Sequence, residues 1–173
     1  MRRVRRLGEA DVEEYRAIRL EALAHAPEAF GSTLAREQAF ARADFLARLT
    51  GGTVFGAFEA AALAGIAGLV VATGEKERHK GTLFGMYVRP GARGHGVGRA
   101  LVDAVLAAAD GVVEQVLLAV VDGNSGARRL YERCGFTVYG IEPRALKFQG
   151  RYFDEVLMLC RLPAMADQRQ TLV

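Results

Sequence analysis

Between Arg93 and Arg99 the chain reads Arg-Gly-His-Gly-Val-Gly-Arg. Glycines at alternate positions remove the Cβ atoms that would hold a ligand away from the backbone, and they admit dihedrals closed to other residues. An alanine- and leucine-rich run follows, so the loop opens a helix. The first N–H groups of a helix lack partners within it, and the helix dipole favours negative charge there, which suits a phosphate. Arg93 and Arg99 flank the loop and can add full positive charge. A Walker loop would need Lys-Ser or Lys-Thr after its last glycine, and here Arg99-Ala100 follows. A dinucleotide fingerprint would need G-x-G-x-x-G, and this loop is G-x-G-x-G behind an arginine. Taken alone, the loop also fits a turn that is glycine-rich only because it is tight.

A second group follows the next apolar run. In Asn124-Ser125-Gly126-Ala127-Arg128-Arg129-Leu130-Tyr131, positions 124, 127 and 131 share one helix face, because seven residues are close to two turns. Asn124 presents an amide at the helix mouth, Ala127 leaves space, and Tyr131 brings a phenol to the same side. A tyrosine so placed also fits a core aromatic with its hydroxyl at the surface. Cys134 stands at a helix end beside Gly135 without a histidine suited to activate it. His25 and His79 lie in turn-like surroundings and receive no role.

Stepping outward, the patterning predicts the elements that must hold these groups. A first strand covers Arg3–Leu7. Asp11 is placed to cap a helix in which Val12, Tyr15, Ile18, Arg19, Ala22 and Leu23 recur at helical spacing. Pro27 breaks that helix within His25–Gly31, and a second runs from Leu34 to Leu49 until Gly51–Gly52 stops it. Thr53–Glu59 and Leu63–Thr73 read as a hairpin, and Thr82–Val88 as a strand ending at Pro90. A helix over Arg99–Asp110, a buried strand over Val113–Val121 and a short helix over Ser125–Arg133 follow, the last capped by Asn124. Phe136–Tyr139 and Tyr152–Cys160 close the sheet. The order predicts one mixed α/β domain of the α+β type, over 1–162, with a tail over 163–173.

Composition narrows the function classes. The chain has 173 residues, 51% hydrophobic and 25% charged, with net charge +3, the balance of an ordinary globular domain. The arginines are scattered except for Arg2, Arg3, Arg5 and Arg6, so no nucleic-acid partner is expected. The apolar stretch Ala60–Thr73 is short and interrupted by Gly65 and Gly68, so no membrane partner is expected. Two cysteines, and a basic N-terminus without a signal-peptide core, predict a reduced, cytoplasmic protein. No metal-ligand spacing is read.

The pattern R-x-x-G-x-G directly after Val88-Arg89-Pro90, with Asn124…Tyr131 and Leu130-Tyr131-Glu132-Arg133-Cys134-Gly135-Phe136 behind it, resembles the GCN5-related N-acetyltransferases, the GNAT superfamily. The resemblance runs from the first strand to Leu159. It implies a central, mostly antiparallel twisted sheet of roughly six to seven strands flanked by about four helices. It further implies acetyl-CoA as cosubstrate and a primary amine of a small molecule or peptide as acceptor. The strand Phe84–Val88 would splay from its neighbour and offer backbone groups at Met86, Tyr87 and Val88. The loop Arg93, Gly94, His95, Gly96, Val97, Gly98 and Arg99 would hold the pyrophosphate, Asn124 would bond the coenzyme, and Tyr131 would protonate the departing thiolate. A polar loop between the last two strands would border the acceptor, with Arg144 and Tyr152 as contacts and Glu28–Phe30 as the opposite wall. No Asp or Glu lies in Thr82–Val88, where some relatives carry a base, leaving Glu21, Glu28 and Glu59 as candidates. The alternative is a non-catalytic acyl-CoA-binding sensor. Val156–Leu159 and the tail are expected to offer an apolar edge for a homodimer.

Overall fold

The computed structural model describes residues 2–163; the tail lies outside the described residues apart from Pro163. Seven strands form one sheet: β1 (Arg2–Arg6), β2 (Thr53–Glu59), β3 (Ala62–Val71), β4 (Lys80–Val88), β5 (Gln115–Val121), β6 (Thr137–Phe148) and β7 (Arg151–Arg161). Their spatial order is β1-β2-β3-β4-β5-β7-β6, and every pairing is antiparallel except β4 with β5. The helices are α1 (Val12–His25), α2 (Leu34–Gln38), α3 (Arg42–Gly51), α4 (Val97–Ala109) and α5 (Ser125–Arg133).

Two apolar clusters flank the sheet. Leu101, Val102 and Val105 of α4 and Tyr131 of α5 pack with Val116, Leu118, Phe136 and Met158. Ile18 and Ala22 of α1 and Phe45 and Leu49 of α3 pack with Leu7, Val54, Ile66 and Tyr87. All six residues of the stripe expected on α1 are buried, Arg19 included.

Several elements differ from expectation. Asp11 precedes α1, but its carboxylate accepts from the Gly8 N–H at 2.8 Å and from Arg5, and so closes the turn before the helix. The single helix expected over Leu34–Leu49 is two. The Asp44 carboxylate takes the Ala41 N–H at 2.8 Å and starts α3 afresh, while Glu37 turns inward to meet Arg19. The polar loop expected between the last strands is instead a long β6–β7 hairpin turning at Gln149–Gly150, both with positive φ. A register irregularity between Glu142 and Leu146 lets Arg144 adopt φ 54°, and its N–H donates to Asp154 Oδ1 at 2.7 Å. Finally, Val156–Leu159 is not an edge. β7 pairs with β5 on one side and β6 on the other, so the edge exposing Val138, Tyr139 and Ile141 is β6.

One feature of the sheet positions the site. The parallel pairing of β4 with β5 is confined to Lys80–Gln115, Gly81–Val116 and Thr82–Leu117. Beyond it β5 continues against β7 and β4 against β3, so the two strands part toward their C-terminal ends.

Candidate active site

At the parting, β4 loses register with β3 between Ile66 and Gly68, and Gly85 takes φ 62°, a conformation that favours glycine. The Arg89 N–H donates to Ala64 O and the Tyr87 carbonyl faces Gly65, so residues 87 and 89 direct their main chain toward β3. Alternation along a strand then directs Met86 and Val88 toward the opened edge. The Val88 carbonyl accepts from Arg93 Nε at 2.9 Å, which ties the loop arginine to this edge. Of the expected trio, Met86 and Val88 present main chain to the opening. Tyr87 instead sends its side chain beneath α1.

The loop beyond β4 is built by glycine. Gly94 and Gly96 both hold φ 79°, and Gly96 is the residue preceding α4. The N–H groups of Gly96, Val97 and Gly98 donate to nothing among the described residues, leaving three donors at a helix start. Gly98 has a different reason to be glycine: an added Cβ would lie 2.9 Å from the Leu130 side chain and 3.3 Å from Met86. It lets α4 close on α5 and β4. Arg99 turns along α4 to Asp103 at 2.9 Å and to the Arg133 carbonyl at 3.1 Å, so its guanidinium is held away from the loop.

On α5, Asn124 Oδ1 accepts the Ala127 N–H at 3.2 Å, the cap expected of it, and its amide nitrogen stays available to donate. A hollow of about 130 Å³ lies there, lined by Val120, Val121, Asn124, Ser125 and Val156 among others. Tyr131 is 5% exposed and meets Phe136 edge-on at 5.8 Å. Its hydroxyl forms no hydrogen bond among the described residues. Burial raises its pKa well above the usual tyrosine value, with a smaller contribution from Cys134.

The expected acceptor residues fall into two groups. Arg144 stacks on the Tyr152 ring at 4.5 Å, and both are exposed on the β6–β7 hairpin. Glu28 lies in a 3₁₀ turn over Pro27–Ala29 that packs beside β5 and β6, and Phe30 follows it with its ring 4.9 Å from the Arg19 guanidinium. Of the candidate bases, Glu21 is already bonded to Arg89 at 2.9 Å and to the Tyr87 hydroxyl at 3.1 Å. That hydroxyl, donating to Glu21, accepts from His25 Nδ1 at 3.0 Å. Glu59 lies opposite Arg2 near the far edge of the sheet.

Two buried charges escaped sequence reasoning. Arg19 donates Nε and Nη2 to both oxygens of Glu37, at 3.0 and 2.8 Å, and Arg48 Nη1 joins at 2.9 Å. The signal was present, since Arg19 interrupts an apolar helix stripe and a charge so placed needs a partner. Nothing in the sequence marks Glu37 as that partner. No group of His, Cys, Asp and Glu suited to a metal occurs among the described residues.

Solved structures share this architecture, among them the three that follow. A ribosomal-protein-alanine N-acetyltransferase from Brucella melitensis is 26% identical, covering 92% of this chain and 99% of its own, with TM-score 0.79. The putative acetyltransferase yncA from Salmonella typhimurium, solved with its cofactor acetyl-CoA, is 22% identical and covers 96% of both chains, with TM-score 0.84. A phosphinothricin acetyltransferase from Sinorhizobium meliloti in complex with acetyl-CoA is 20% identical, covering 93% of this chain and 88% of its own, with TM-score 0.80. The model of the acetyltransferase (GNAT) family matches residues 14–136. With that match spanning most of its length, from α1 through the glycine loop to Phe136, the chain belongs to the GNAT family of acetyltransferases.

Proposed function

We propose that this protein transfers an acetyl group from acetyl-CoA directly to a primary amine of a small molecule or peptide. The observation that carries the reading is the parting of β4 from β5 beside a helix start with three unpartnered N–H groups. An extended arm bearing an amide-rich chain and a pyrophosphate fits that shape: the phosphates at Gly96–Gly98 and Arg93, the arm along Met86 and Val88. The acetyl-CoA bound to the Salmonella and Sinorhizobium proteins of like fold supports the choice of cosubstrate.

The bound thioester would supply an activated acetyl carbonyl. The amine nitrogen forms the new C–N bond as the C–S bond breaks, the sulfur leaving as thiolate. A main-chain N–H at the opened edge of β4 stabilises charge gathering on the carbonyl oxygen. Tyr131 donates its proton to the sulfur, the amine nitrogen releases one to water, and the Tyr131 phenolate takes one back from water. An amine with a pKa of about 10.4 is neutral in roughly one molecule in a few thousand at pH 7, so the acceptor enters more readily as pH rises. Holding the two reactants together removes much of the barrier without a covalent enzyme intermediate.

The test is release of free coenzyme A from acetyl-CoA with a panel of amines, alongside calorimetry of coenzyme A binding. Turnover with at least one amine supports the reading. Tight coenzyme A binding with no turnover across the panel would favour the acyl-CoA sensor.

A further inference from the structure

The Arg19–Glu37–Arg48 cluster holds two guanidinium groups on one carboxylate, one positive charge in excess. The Arg48 side chain is about a third open to water, so its charge is partly hydrated. Arg19 is different. Its side chain is 10% exposed, and Glu37 engages its Nε and Nη2 in a fork that fixes the plane of the group. The Phe30 ring lies 4.9 Å from the guanidinium carbon and covers it. Nη1 is left over. It makes no hydrogen bond among the described residues, yet it is not sealed from solvent, since the one sealed and unpartnered side-chain nitrogen or oxygen is Arg16 Nε.

What Nη1 faces gives it meaning. A Cβ built on Gly85 would stand 4.0 Å from Nη1, with no other atom that close apart from its chain neighbours. At that distance the two are in van der Waals reach, so Nη1 lies against β4 at Gly85, and a small ligand reaching its solvent-open side meets a fixed, charged donor. Gly85 directly precedes Met86, whose main chain faces the opened edge of β4. Consecutive strand residues are about 3.3 Å apart, so an anion on Nη1 and an amine at that edge belong to one small molecule only if few bonds separate them.

Resting on the acetyl-transfer reading above, we infer that Arg19 Nη1 binds a carboxylate of the acceptor, and that the acceptor is a free amino acid or similarly short amino carboxylate. The carboxylate completes the charge of the cluster and satisfies the remaining edge of the guanidinium. A peptide N-terminus lacks an anion at this distance, as does a polyamine.

The experiment compares each of a set of L-amino acids with its carboxamide and with the amine lacking that group, on the full wild-type chain. Two readouts run together: coenzyme A release, and the shift in melting temperature on adding the compound with coenzyme A present. The expected result is about 10- to 100-fold higher kcat/KM for the carboxylates, carried mainly by KM, and a melting shift that the carboxamides do not produce. Arg19→Lys keeps the charge but loses the fork, and should erase most of the preference while acetyl-CoA affinity is retained. A carboxylate-dependent melting shift without turnover would uphold the Arg19 site and defeat the acetyl-transfer reading instead. Amides and plain amines matching the amino acids in kcat/KM, or in melting shift where nothing turns over, would overturn the inference. This comparison needs no variant to fold.

Discussion

Tyr131 keeps its proton because its ring is buried between α5 and Phe136 and its phenolate would be poorly solvated. That makes it a reliable donor and a reluctant one. A thiol titrates near 8.5 and an ordinary phenol near 10, and each unit of mismatch adds about 1.4 kcal/mol to proton transfer. Under the proposed mechanism the proton moves late, as charge builds on the departing sulfur. Tyr131→Phe retains the edge-on contact and removes only the proton. Turnover at saturating acetyl-CoA should fall by about 10²-fold or more with affinity for acetyl-CoA little changed. An undiminished rate in the folded variant would assign the proton to water or to the acceptor. Gly96 acts at the other end of the site. Its φ of 79° disfavours any side chain by about 1–2 kcal/mol, and aspartate there would set negative charge against the three free N–H groups. Gly96→Asp should lower coenzyme A affinity at least tenfold by calorimetry, and unchanged affinity would remove the loop from the cosubstrate site.

At the scale of elements, Gly65 lets β3 lie close against β4 and α4. A Cβ on Gly65 would lie 2.8 Å from the Tyr87 carbonyl oxygen and 3.0 Å from a Leu101 methyl. Main chain cannot step aside as a side chain can, so Gly65→Ala should destabilise the fold by about 1–3 kcal/mol, read from urea unfolding. Wild-type stability would mean that β4 has room to shift. The glycine loop, the α5 cap and the α1 stripe were legible in the sequence because each follows from local chemistry. Gly96 precedes a helix, Asn124 caps one, and apolar residues recur every third or fourth position. The break between α2 and α3 was not legible, because it arises where Asp44 captures a main-chain N–H and Glu37 turns toward a helix distant in sequence. The extended run through Ile141–Phe148 was hidden because β6 is an edge strand whose residues carry no burial pattern, and its pairing is irregular between Glu142 and Leu146. The same ambiguity placed Val156–Leu159 at an edge, whereas their apolar character reflects a strand between two neighbours. Gly98 looked like another phosphate-approach glycine, and only the Leu130 contact shows that it also serves packing.

For the molecule as a whole, the buried Glu37 couples stability to pH. Glu37 is 0% exposed, and burial alone would push its pKa up. The hydrogen bonds from Arg19 and Arg48, with the charge of Arg19, outweigh burial and bring it from 4.5 to about 2. A carboxyl group with a depressed native pKa contributes stability that is complete above its unfolded value and is lost as pH falls through the native one. The window is therefore from about pH 5 down to about pH 2, and the contribution is on the order of 3 kcal/mol. Glu37→Gln removes the titration and leaves two guanidinium groups without a counter-charge, which should destabilise the protein at pH 7 by about 3–5 kcal/mol. Wild type should then lose stability on acidification faster than Glu37→Gln, so the gap between them narrows from pH 5 to pH 2. Urea unfolding of both proteins across that range measures the gap. Parallel profiles would show that Glu37 does not titrate in the native protein over this window. The same proton that weakens the fold would free Arg19 from its fork, so loosening of the α1–α2 packing and loss of the fixed guanidinium should occur over one pH range.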